Sequence, residues 1–219
     1  MPIMNIRLLR LASNALPIGS FAHSQGIESA SQQGLVQDEK SVCLWLEGVY
    51  RAGLSKTELP ILKALYGAWS DGDDMKIAHL NALMLASRES KELWLEDQRL
   101  GAALKKILDE DAPQSQEGGL NGPQSLVSQW ARAAIIWHIE EPSMVQAFAF
   151  SWLENACLAS AKLLPMGQRQ VHRVMNHMFE VIGKTAIPPF TEDQWGPSLP
   201  GLAVLSSQHE YQQNRLFLS

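Results

Sequence analysis

The side chains best suited to hold a metal or move a proton are scattered along this chain rather than grouped. His172 and His177, the nearest pair of histidines, stand five residues apart, which is about 140° round a helix, so they face different ways. His23, His79, His138 and His209 are isolated from one another. Cys43 and Cys157 each sit in an apolar segment, which suits buried, reduced thiols better than a disulfide framework or a zinc cage. Carboxylates are plentiful, but no spacing pairs two of them across a cleft for acid–base work. The remaining stretch that could do chemistry is SNALPIGSFAHSQGIESA, residues 13 to 30. It holds no G-x-x-x-x-G-K-[ST] phosphate loop and no nucleophile elbow, and no strand pattern precedes it. A connector accounts for it: Pro17 holds Leu16 extended, Gly19 turns the chain, and Ser20 is placed to cap the helix that follows. No catalytic residue, metal ligand or cofactor is therefore expected.

The elements around these residues read as helices. The 219 residues are 46% hydrophobic and 19% charged, enough apolar material for a core, and the formal net charge of −5 with no Lys/Arg cluster argues against nucleic acid. The segment MPIMNIRLLRLAS has helical spacing without a signal-peptide cleavage pattern, and no apolar run nears the ~18 residues of a membrane span. Helical periodicity predicts helices over 39–54, 57–69, 75–86, 89–110, 125–139, 143–164, 167–183 and 202–210. In the fourth, Glu89, Glu92 and Glu96 fall off the apolar face and read as solvated surface, whereas Asp97 falls within it, where an ion pair or a kink would account for it. The segment 143–164 is apolar almost all round, with Ser151, Glu154, Asn155 and Lys162 in one narrow strip broken by Leu158; such a helix belongs at the centre of its domain. Residues 111–124, DAPQSQEGGLNGPQ, read as a flexible loop. The expectation is an all-α fold, a single compact domain over 1–219 of about eight to ten helices, in a soluble cytoplasmic protein.

Several separated stretches together carry a resemblance. ALPIGSFAHSQGIESA is similar to the pattern L-P-x-G-x-[FY]-x-x-S-x-G-[LI]-E through Leu16, Pro17, Gly19, Phe21, Ser24, Gly26 and Glu28. SRESKELWLEDQRLGAAL resembles a charged middle helix with R-E-x-x-E-L, and SWLENACLASAKLLPMGQ a helix ending K-L-[VL]-P-[LM]-[GS]-Q. SSQHEYQQNRLFLS resembles a closing signature H-E-x-x-x-S-R-L-[FY]-x-S, with Asn214 where serine is usual and Leu218 in place of a frequent arginine. In this order, from about residue 7 to the end, the pieces resemble the UreF family of urease accessory proteins. The resemblance implies an all-helical, homodimeric cytoplasmic protein without catalytic activity. Such a protein bridges the UreD (UreH) scaffold and the GTPase UreG on apo-urease and regulates GTP hydrolysis coupled to nickel insertion. It also points to Phe21, His23, Lys162, Gln168 and Arg215 as partner-interface residues. The segment 211–219 lacks helical period yet carries Tyr211, Leu216 and Phe217, so it is expected to fold against a partner rather than into its own core. A stand-alone nickel chaperone or an all-α metalloenzyme is the alternative; tightly held metal in the pure protein would mark either.

Overall fold

Short polar side chains fix where the helices begin. Asn5 Oδ1 accepts from Arg7 N at 3.1 Å, Asp38 and Ser41 form a reciprocal capping box, and Asp73, Ser90 and Ser125 each cap the helix that follows. Each such cap contributes about 0.5–2 kcal/mol. The structure, a computed structural model, describes residues 5–112, 122–193, 195–196 and 198–219. Among them it has ten α-helices and no strand. They are α1 (Ile6–Ala12), α2 (Ile27–Gln32), α3 (Glu39–Val49), α4 (Glu58–Asp71), α5 (Asp74–Ala86), α6 (Lys91–Asp111), α7 (Leu126–Ile136), α8 (Glu141–Leu163), α9 (Gln168–Lys184) and α10 (Pro200–His209). The all-α expectation holds.

Helix α8 is central, as its nearly uniform apolarity requires: it packs against α1, α2, α3, α4, α7 and α9. Leu153, Ala156, Cys157 and Ser160 are buried along it. Helix α4 contributes Leu59, Ile61, Leu62 and Leu65 to the same core, each worth roughly 1.5–3 kcal/mol when fully buried. Trp130 of α7 meets Phe148 of α8 edge to face at 5.2 Å. Burial pushes the Cys157 thiol up to about 12, with the Cys43 and Glu154 charges adding to it, so it stays a thiol at neutral pH. Cys43, expected to be buried, is only half-buried.

Three local expectations are corrected. The predicted helix 39–54 ends at Val49 and continues as a π turn, Tyr50–Leu54. There Gly53 lies so close to Leu199 that a Cβ would come within 2.6 Å of its Cδ1, a proximity only distant residues could reveal. Ser20 caps no helix: it opens a 3-10 turn, Ser20–Ala22, and the N-cap of α2 is instead Gly26, at φ +82°. Of the loop expected at 111–124, residues 113–121 lie outside the described residues. Asp111 still belongs to α6, and Gln124 is buried against Gly101, where a Cβ would meet Gln124 O at 2.2 Å. That close approach brings Leu126 N to Asp97 Oδ1 at 2.7 Å. Asp97 also accepts from Arg88 Nε at 2.9 Å, and Arg88 reaches Glu58 at 2.6 Å, so the buried carboxylate belongs to an ion pair and α6 runs unbroken past it. Burial disfavours the Arg88 charge, yet the Asp97 and Glu58 carboxylates more than offset it and hold the guanidinium above its ordinary value.

Candidate functional site

The loop 13–26 and the segment 210–219 come from opposite ends of the chain, and they meet. Gly19 turns the first at φ +83°, which buries Leu16 and Ile18, leaves Phe21 outward and sends His23 inward. Beyond α10 the second turns at 210–213 and runs back along the loop. Leu218 N donates to Ala22 O at 2.8 Å, and Ser24 gives both its main-chain N–H and its hydroxyl to Ser219 O at 2.7 and 2.8 Å. Asn155, in the polar strip of α8, donates to His23 O and so fixes the loop to the central helix.

Two carboxylates hold this arrangement. Glu28 Oε1 accepts from Leu216 N at 2.7 Å, and its Oε2 accepts from Phe217 N at 2.9 Å and faces His209 Nε2 at 3.1 Å. Glu92 Oε2 faces His209 Nδ1 at 2.8 Å, and its Oε1 accepts from Arg215 Nη1 at 2.8 Å. His209 is 0% exposed, with a carboxylate oxygen at each ring nitrogen. Filling both contacts takes a proton on each nitrogen, or one on a carboxylate. A third carboxylate, Glu96, accepts from Gln25 Nε2 at 2.7 Å and from the Ser219 hydroxyl; that hydroxyl, having given its proton, accepts from His23 Nδ1 at 2.8 Å.

The site residues expected from the sequence therefore divide. His23 does not face outward: it is buried against Ser219. The segment 211–219 folds into its own core, contrary to the expectation that it would fold against a partner, because Glu28, Glu92 and Glu96 supply acceptors for its main-chain and side-chain donors. Phe217 is 5% exposed, with Lys162 Nζ 5.4 Å from its ring centroid. Tyr211, Leu216 and Phe21 do point outward, as does Leu218, which the sequence marks only as a departure from the family pattern; Arg215 is exposed along its stem but turns its guanidinium to Glu92. Gln168 is exposed at the start of α9, apart from these contacts. Glu92 and Glu96, expected as solvated surface, are buried, since α10 and the tail cover that side of α6. The sequence marks Glu28 only as a matching position, and marks neither Glu92 nor His209 as a site residue. No local signal marks them: Glu92 and His209 lie inside the predicted helices 89–110 and 202–210, and only their contact with Glu28 and Arg215 sets them apart.

Fold and site together define a class: an all-helical protein whose two end segments close into one buried polar cluster. Among the described residues no group of three or more His, Cys, Asp and Glu is placed to hold a metal ion, and no helix is long and apolar enough to cross a membrane. The UreF family model matches residues 36–179. Urease accessory protein UreF of Hahella chejuensis is 39% identical over 220 residues, covering 100% of this chain and 99% of its own. The protein of the same name from Chromohalobacter salexigens is 38% identical, covering 100% and 96%, and that from Psychrobacter cryohalolentis 40%, covering 97% and 93%. The chain belongs to the UreF family of urease accessory proteins. Both end segments lie outside the stretch matched by the family model but inside the full-length similarity.

Proposed function

We propose that this chain acts in urease maturation as a non-catalytic component of the nickel-insertion apparatus. In this reading it is a cytoplasmic homodimer that bridges the UreD (UreH) scaffold and the GTPase UreG on apo-urease and regulates GTP hydrolysis. The observation that supports it most is the anchored tail. Its buried side holds Phe217 and Ser219 in place, while Tyr211, at 86% exposed, and Leu216, at 62%, stand outward, as Phe21 does on the loop. Apolar groups held outward on an anchored segment, as Leu216 is by the bonds at Leu216 N and Phe217 N, suit a partner interface, because less ordering cost is left for binding. The tail thus keeps its partner-binding role, through its outer side chains only.

Co-purification with UreD, UreG and apo-urease, followed by nickel-dependent urease activation, tests this reading. The double variant Tyr211→Ala/Leu216→Ala is expected to melt within about 2 °C of the parent, since exposed substitutions cost little, and to lose at least tenfold in UreD capture. Full capture by the folded variant would reject the tail as the docking element. Lys162 adds a milder expectation. Lys162→Ala removes a cation–aromatic contact worth about 0.5–1 kcal/mol at an exposed site, so the circular dichroism spectrum stays unchanged and urease activation falls. Unchanged activation would confine this lysine to supporting Phe217.

A further inference from the structure

A groove of about 310 Å³ lies between the first half of α6 and the tail. Lys91, Leu95 and Arg99 set one wall; they recur every four residues along α6 and span about 12 Å at 1.5 Å per residue. Leu218, 54% exposed, and Arg215 stand on the other. The charged groups of the lining differ in what they already meet. Glu92 is taken up by His209 and Arg215, and His23 is turned to Ser219. Lys91 and Arg99 are exposed and form no ion pair among the described residues, and Glu210 is the one lining carboxylate in the same state. On a chain of net charge −5 the groove thus carries a local excess of positive charge, with Leu95 between its two free cations.

We propose that this groove is a docking site for an extended, acidic peptide segment of another protein, with two carboxylates four residues apart and an apolar side chain midway. The spacing carries the choice. In an extended chain, residues i, i+2 and i+4 share one face and cover about 13 Å. That sets the outer carboxylates against Lys91 and Arg99 and the middle side chain against Leu95 and Leu218. The volume lies at the small end of ligand-binding clefts and seats a few side chains rather than a folded domain. Two free cations are too few to hold nucleic acid at ordinary salt. Neither Tyr211 nor Leu216 lines the groove, so it stands apart from the tail's outer face.

The peptide acetyl-Gly-Glu-Ser-Leu-Ser-Glu-Gly-amide and its counterpart with glutamine for glutamate are suitable probes for ¹⁵N-labelled full-length protein. Titrated to millimolar concentration at low salt, the acidic peptide should shift the amides of residues 91–99 and of Leu218 saturably. It should bind about threefold to tenfold more tightly than the glutamine peptide, as two exposed ion pairs allow. Added salt should erode that preference. Lys91→Glu/Arg99→Glu should fold as the parent does, since both side chains are exposed and unpaired, and should abolish the preference. If that variant fails to fold, Lys91→Gln/Arg99→Gln serves in its place. Glu210→Gln, which withdraws the opposing charge, should tighten the acidic peptide about twofold, and Tyr211→Ala/Leu216→Ala should leave its binding unchanged. Equal affinity for the two peptides overturns the proposal, as does a preference that survives loss of both cations. So does weaker binding by Glu210→Gln, or the absence of a saturable shift at these amides.

Discussion

Glu28→Ala is expected to destabilise the protein by about 3–5 kcal/mol, as when one partner of a buried charged network is removed. Its carboxylate serves two main-chain N–H groups, Leu216 and Phe217, and the Nε2 side of His209. Alanine leaves all three facing a void, since the two tail amides give their hydrogen bonds to this carboxylate. The tail should therefore detach before the rest unfolds. For a chain of this length the loss corresponds to roughly 6–20 °C in melting temperature. Hydrogen exchange at Leu216, Phe217 and Leu218 should rise to that of free peptide while α4 and α8 stay protected. Glu28→Gln, which keeps one acceptor oxygen, should recover part of the stability. A fully stable Glu28→Ala with a protected tail would show that Glu92, Glu96 and Ser24 suffice to hold it.

The contrast between legible and hidden parts follows from how each is stabilised. Helices α3 to α10 announce themselves because their apolar residues recur every three to four positions, and short polar residues precede α3 to α7, both local properties. The central place of α8 is legible for the same reason, and Asp97 within an apolar stripe calls for either an ion pair or a kink, of which the pair with Arg88 is the one formed. Glu92 and Glu96 mislead because a carboxylate off the apolar face is solvated unless something distant covers it. Here the covering donors, His209, Arg215 and Ser219, lie 117 to 123 residues further along. The tail misleads by the same omission: its apolar side chains suggest a missing partner, while the acceptors that fold it home sit on α2 and α6. Spacing alone carries no such long-range pairing. The family resemblance marks both end segments, each by its own pattern, without showing that they touch.

Arg88→Met should cost about as much as losing Glu28, for a different reason. Arg88 ties three elements together: Glu58 opens α4, Asp97 lies in α6, and Asp97 in turn receives Leu126 N at the start of α7. Methionine matches the length of the arginine stem and packs well, so the damage comes from the two carboxylates left facing each other's charge without a counter-ion. Breaking such a pair by removing one member typically costs about 3–5 kcal/mol, whereas replacing the whole set with neutral groups is often close to neutral. The triple variant Glu58→Gln/Arg88→Met/Asp97→Asn should therefore regain most of the loss, since the asparagine amide in α6 still offers an oxygen to Leu126 N. Chemical unfolding of the parent, the single and the triple variant at one pH separates the effects. A triple variant as unstable as the single would mean that the arginine stem, through its packing, holds α4, α6 and α7 together. Recovery in the triple variant assigns the loss to the stranded charges.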